Sequence, residues 1–394
     1  MLACYAWSNL QILNVTNAVV NIYAGEQADL FIRIGPHISE NLIKSIERSG
    51  VFEHVYCIDP LKIDVSKERG GKIRWIRAFS LKHAYVFAYD SLLGRLCGEQ
   101  KYERALLPWF FADSVYFLHY WAKYNDKLAV TFVEEGTSSY YYTKKQMCFP
   151  LFNAPTRRAK IKRYLMEGNL MRKFGKRVDT ICLYRPEYCA EDIDFAKKAL
   201  PIISENENPI MHKILLGAAA NLDYTHFMRY EKRDIYYFSA YNLENKEFEV
   251  QSEQFLQTIL DNDRANKIIC KVHTHNTTHA EKFARDLEDQ IFVDRVRYIF
   301  EGMYMQLPDE ERKVIVSCVS TAAMNPKFMF GKEPYIIFTY RLYNDYRQHP
   351  VECDDLLSGI LMDSYDDKSK IMIPNSVYEL AAMVRRIRSE INGD

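Results

Sequence analysis

The feature that most narrows the fold is an alternation, begun at the first residue, of short apolar runs with segments of helical spacing. Residues 1–5 form such a run, and Leu10, Ile12, Leu13, Val15, Ala18, Val19 and Ile22 then recur at the intervals of a helix packed on a sheet. Residues 30–35 read as a second strand, Glu40 to Ser49 as a helix and 55–58 as a third strand. Strands joined through helices line up in parallel, so the expected architecture is α/β with doubly wound sheets. The alternation continues with helices over 79–96 and 113–124 and strands over 104–111, 127–133 and 181–185. Helical spacing over 190–199 and 209–218 carries the chain toward a second set of strands at 234–242, 267–273, 297–300, 313–319 and 334–340. Helices are expected there over 248–260 and 376–391.

A chain of 394 residues exceeds one ordinary core, and two domains are expected, 1–228 and 229–394. With 48% hydrophobic and 26% charged residues the composition excludes a disordered chain. Basic and acidic residues number 52 each, which gives no reason to expect a general nucleic-acid binder and makes any basic partner site local. Nine cysteines without a CxxC pair read as reduced, mostly buried thiols. Ser8, Asn9, Gln11 and Asn14 interrupt the first apolar stretch and no basic segment precedes it, so no signal peptide is expected. No apolar run reaches the ~18 residues of a transmembrane helix.

The strand over 127–133 delivers Glu134 and Glu135 to its C-terminal end, where Gly136 allows a sharp turn. Open α/β sheets place their chemistry at such ends. Two adjacent acids repel, which pushes one pKa toward neutrality and suits a general base. Glu134 is favoured, with Glu135 left open. A solvated acidic turn would have the same sequence, so the other residues decide. His273, with Lys271 two residues before it, follows a strand-like run, and Ser239 ends another. Ser320 and Thr321 open a helix, where hydroxyls and free N–H groups suit an anion or serve as an ordinary cap. Asp261-Asn262-Asp263 reads as a turn rather than a metal-binding DxD. His273, His275 and His279 have only Glu281 as a nearby carboxylate, and no metal is expected. Tyr140, Tyr141 and Tyr142 are candidates for stacking on sugar faces. Over 144–177 eleven lysines and arginines face one acid, Glu167, a balance suited to anionic headgroups or to a solvated helix.

In order and spacing these motifs resemble the bacterial sialyltransferases, which carry acidic-acidic-Gly, His-Pro and Ser-Ser/Thr motifs. The resemblance extends to Phe300-Glu301 and to Leu307-Pro308-Asp309 ahead of the Ser-Thr pair, and the opening Trp7-Ser8-Asn9-Leu10-Gln11 is similar to glycosyltransferase family 52. Thr274 stands where the family has proline, which leaves His275 as a competitor for the role of His273. The resemblance implies a GT-B-like fold, two Rossmann-like domains facing a central cleft, the first on the acceptor side and the second holding the donor. It implies inverting transfer of sialic acid from CMP-sialic acid to a hydroxyl of a bacterial surface glycan, lipooligosaccharide or capsule, without metal or other cofactor. Glu134 or Glu135 would be the base, His273, Ser320 and Thr321 would stabilise the departing phosphate with help from Lys271, and Glu301 would hold the ribose. Ser239 would line the donor site, and Ser8, Asn9 and Tyr140 the acceptor side. The expected partners are a nucleotide-sugar donor, a glycan or glycolipid acceptor, a second copy in a homodimer and, through 144–177, the cytoplasmic face of the inner membrane; no nucleic acid is expected. Three other readings stay open: a GT-B enzyme using another nucleotide sugar, a metal-dependent hydrolase built on the three histidines, and a catalytically silent sugar-nucleotide-binding protein.

Overall fold

The structure is a computed structural model that describes residues 1–35, 38–59, 74–110, 113–150, 156–220, 224–238, 246–263, 268–271, 291–294, 299–344 and 351–392. The chain divides into two compact units, one of Met1–Pro201 with Glu205–Ile214 and the other of Ile202–Ser204 with Leu215–Asp394. The division falls between Ile214 and Leu215, ahead of the 228/229 boundary expected from sequence.

The first unit holds seven parallel strands in the order β3-β2-β1-β4-β5-β6-β7. They are β1 Leu2–Ala6, β2 Ala28–Arg33, β3 His54–Ile58, β4 Arg104–Leu107, β5 Ala129–Val133, β6 Val178–Leu183 and β7 Ala196–Ala199. Every residue of β1 is buried, as expected of a central parallel strand covered on both faces. The helices are α1 Asn9–Asn17, α2 Glu40–Ser49, α3 Arg74–Leu96, α4 Ser114–Trp121, α5 Ser138–Tyr141, α6 Lys144–Cys148, α7 Arg157–Gly175 and α8 Pro209–Ala219, the last of which spans the division. Local chemistry sets their ends: Ser39 caps α2 by accepting from the Leu42 N–H, and Gly50 closes it at φ 66°. The helix expected over 190–199 is instead the edge strand β7, whose Lys197 and Lys198 are exposed. Its backbone pairs with β6 on one side only, so it carries no apolar alternation to read, and lysine is a usual guard of such an edge.

The second unit holds six parallel strands in the order β10-β9-β8-β11-β12-β13: β8 Ile235–Phe238, β9 Ile268–Lys271, β10 Ile291–Asp294, β11 Val314–Ser317, β12 Tyr335–Phe338 and β13 Ile371–Met372. Its helices are α9 Tyr224–Glu231, α10 Lys246–Asn262, α11 Phe300–Tyr304, α12 Thr321–Phe330, α13 Val351–Ser364 and α14 Val377–Asn392. The core joins α10 and α14 to the sheet through Leu256, Ile259, Val316, Ile337, Leu380 and Val384. Phe300, expected to end a strand at Glu301, opens α11; Phe300, Met303 and Tyr304 are buried at helical spacing, and the Phe300 ring packs edge-on to Phe238 at 4.8 Å. The acids of 261–263 have a structural use: Arg388 of α14 bonds to buried Asp263 and, at 2.8 Å, to Asp234.

Of the nine free cysteines, Cys4, Cys182, Cys189 and Cys270 are buried, four are half-buried and Cys57 is exposed. Among the described residues no helix is long and apolar enough to cross a membrane.

Candidate active site

In the first sheet the strand order runs outward from β1 in one direction and from β4 in the other, so the crevice beyond the C-terminal ends of β1 and β4 is the topological switch point where such sheets bind ligands. The Glu134-Glu135-Gly136 turn leaves β5, next to β4. Gly136 sits at φ 134°, where a side chain is strained, and this turns the chain into the short helix α5.

The two glutamates occupy different environments. Glu134 is 2% exposed and held from several sides. Its Oε2 accepts from the Tyr140 hydroxyl at 2.5 Å and the Tyr184 N–H at 2.8 Å. Its carbonyl accepts from Asn14 Nδ2 at 2.9 Å, and its N–H donates to the Cys182 carbonyl at 2.9 Å. Burial pushes its carboxyl up to about 7, against the two hydrogen bonds, with the neighbouring Glu135 charge adding to the rise. Glu135 is half-buried. Ser138 Oγ donates to its Oε2 at 2.6 Å, the Gln11 side chain also bonds its carboxylate, and its N–H donates to Ser139 Oγ at 3.0 Å. Desolvation pushes this carboxyl to about 7 as well. Both carboxylates accept two hydrogen bonds, but Glu135 is the less buried residue and its carboxylate is held by side chains alone, so with a pKa near 7 it is the better placed of the two to take a proton from an incoming hydroxyl.

The opening segment belongs to the same place. Ser8 caps α1 by accepting from the Gln11 N–H, and Asn9 Oδ1 accepts from the Ser39 N–H at 2.9 Å. Gln11, whose Oε1 accepts from the Trp7 N–H at 2.9 Å, reaches Glu135. Tyr140, expected to face the acceptor, is 1% exposed and offers no ring face to a sugar. Tyr142 is half-buried and stacked on Trp109 with centroids 4.7 Å apart.

Sequence reading did not single out Gln11 and Asn14 as site residues, nor Ser138 and Tyr184. For the first two a signal existed: Gln11, Asn14 and Asn17 recur every three residues along α1 and are all buried, which marks a polar helix face turned inward toward partners. Tyr184 enters only through the pairing of β5 with β6.

In the second unit the switch point lies between β8 and β11. Ser320, at the N-cap of α12, makes no side-chain capping bond and is half-buried, as is Thr321 after it. Glu301 on α11 lies beside the same helix, its Oε1 accepting from Asn325 Nδ2 at 2.6 Å. Lys271 pairs with buried Asp294 at 3.2 Å, and Asp294 also accepts from the Tyr230 hydroxyl at 2.5 Å. Ser239, His273, His275 and His279 lie outside the described residues. Among the described residues no group of three histidines, cysteines, aspartates or glutamates is placed to hold a metal ion.

Two Rossmann-like units, each built on a parallel sheet, define a GT-B-like fold, and the chain is a glycosyltransferase of that form. It belongs to the alpha-2,8-polysialyltransferase family, whose pattern matches residues 76–336. The match is to a sialyltransferase family, as the motifs imply, and names the polysialyltransferases rather than family 52. No curated protein sequence matches the chain. Among solved structures it is similar to Staphylococcus aureus MnaA with UDP, at 11% identity and TM-score 0.52 over 100% of this chain and 88% of that one. A UDP-N-acetylglucosamine 2-epimerase matches at 8% identity and TM-score 0.50, over 100% and 87%. An α/β-galactoside α-2,3-sialyltransferase from Photobacterium phosphoreum matches at 10% identity and TM-score 0.48, over 96% and 98%.

Proposed function

We propose that the chain transfers sialic acid from CMP-sialic acid to a hydroxyl of a bacterial surface glycan, lipooligosaccharide or capsule, by a single inverting displacement with Glu135 as the base. The observation that carries this reading is the Glu134-Glu135-Gly136 turn, inside the matched span, with Glu134 buried and Glu135 half-buried, its carboxyl held by the Ser138 and Gln11 side chains at a pKa of about 7. Glu135 takes the acceptor proton as the new glycosidic bond forms and the bond to the cytidine monophosphate breaks; Glu134, Tyr140 and Tyr184 hold the turn. Ser320 and Thr321 at the start of α12, where the positive end of the helix dipole favours an anion, receive the phosphate, and Glu301 the ribose. His273 completes the phosphate site by resemblance. A monophosphate leaving group carries less charge than a diphosphate, so this reading requires no metal.

The test measures cytidine monophosphate release with a sialylated acceptor, in the presence of a chelator, for the wild type, Glu135→Gln and Glu134→Gln. Loss of the base costs on the order of 10²–10⁴ in kcat with the donor KM little changed. Glu135→Gln is expected to lose turnover in that range, and Glu134→Gln to lose far less. A Glu135→Gln enzyme with near wild-type turnover, or a wild type that turns over only uridine nucleotide sugars, would overturn the reading.

A further inference from the structure

The outward face of α7 combines two kinds of residue. On its inner side Met166, Leu170, Met171 and Phe174 are buried and fix the helix to the first unit. On its outer side three large apolar residues stand in solvent, Ile161 at 54%, Leu165 at 43% and Tyr164 at 40% exposure. Around them lie exposed Arg157, Arg158, Lys160, Arg172 and Lys173. At 100° per residue, Arg157, Ile161, Tyr164, Leu165 and Arg172 fall within one third of a turn, so the apolar and basic groups share one stripe. The only acid of α7, Glu167, is turned inward and paired with Arg163 at 3.1 Å, and leaves the stripe's charge uncompensated from within the helix. Lys144 of the neighbouring α6 does not add to it, because Asp194 binds it at 2.5 Å.

A lone exposed leucine is ordinary, and a basic stripe alone fits any polyanion. Apolar side chains at the centre of a basic stripe fit a surface that is anionic at its face and apolar just beneath it. Arg172 extends this pattern: its guanidinium lies over the Tyr164 ring at 5.2 Å and the Phe149 ring at 5.7 Å while donating to the Tyr164 hydroxyl at 2.9 Å. Such amphipathic aromatic and cationic groups settle at the level of lipid headgroups.

We propose that the outward face of α7 docks the protein on an anionic lipid bilayer, Ile161, Tyr164 and Leu165 entering the headgroup–acyl boundary and the surrounding cations pairing with lipid phosphates. This is independent of the chemistry assigned to Glu135. The experiment is flotation of the full chain with phosphatidylcholine vesicles, with and without phosphatidylglycerol, at low and high salt. Binding only to the anionic vesicles, weakened by salt, is expected. Ile161→Gln with Leu165→Gln, which leaves net charge unchanged, should weaken partitioning on the order of tenfold or more. Arg157→Gln with Arg158→Gln and Lys160→Gln should weaken it comparably and flatten the salt dependence. All five positions are exposed, and far-UV circular dichroism checks that the variants fold. Absence of wild-type binding to anionic vesicles would overturn the proposal. So would binding indifferent to the Ile161 and Leu165 changes, which would make the stripe a site for soluble polyanions.

Discussion

Glu134 and Glu135 have the same side chain and adjacent positions, and what separates them is where β5 ends. Glu134 still lies under the sheet's cover, so its carboxyl loses water and takes the Tyr140 hydroxyl and the Tyr184 N–H in exchange. The exchange is incomplete, since its pKa rises from an ordinary 4.5 to about 7. A folded-state pKa above the unfolded one means that the native protein holds this proton more tightly. The resulting stability is full below about pH 4.5 and is lost as pH rises through 7. Glu134→Gln keeps an acceptor for both donors and has no charge to bury. It should match the wild type in urea unfolding near pH 5 and exceed it by about 1–3 kcal/mol near pH 8. Equal stability at both pH values would show that Glu134 is not desolvated as the structure has it. The acidic-acidic-Gly motif was legible in the sequence; which acid is locked was not, because Tyr184 arrives from β6, some fifty residues further on.

Among the elements, the turn from β5 into α5 is the one on which the site depends. Gly136 at φ 134° allows the chain to reverse so that Ser138, Ser139 and Tyr140 all return to the two glutamates. An alanine there meets backbone strain of about 1–3 kcal/mol. Gly136→Ala should lower the melting temperature by several degrees and reduce turnover more than donor affinity, because the residues proposed to hold the donor lie on other elements. Unchanged melting would mean that the turn relaxes. Element types were mostly readable from period: α2 spans the expected Glu40–Ser49, α10 and α14 lie within one or two residues of their expected limits, and α12 opens at Thr321 as expected. Two of the misreadings share a cause. β7 is too exposed to show a period, and α11 is one turn long, with its helical burial visible only once Phe238 and Tyr236 are in place beside Phe300.

For the whole molecule, each unit has its own sheet and core, so damage to one should not propagate as loss of the other. Arg388 is the test point: it is largely buried and satisfies Asp263 and Asp234 from the C-terminal helix. Removing one partner of a buried pair costs about 3–5 kcal/mol. Arg388→Ala should therefore lower hydrogen-exchange protection in β8, β11 and α14 by about that amount while β1, β4 and β5 keep theirs; a uniform loss across both sheets would show that the units unfold as one. The sequence by itself determined the α/β class, the two-domain content and the motifs at strand ends, because periodicity and turn chemistry are local properties of the chain. The tertiary structure alone decided that Gln11 reaches Glu135, that Tyr140 serves Glu134 rather than a sugar, that 261–263 anchors a helix and that the outer face of α7 carries exposed apolar residues. Each of those depends on which distant strands become neighbours and which side chains they cover, and burial, with the pKa shifts it causes, does not exist until the sheets are assembled.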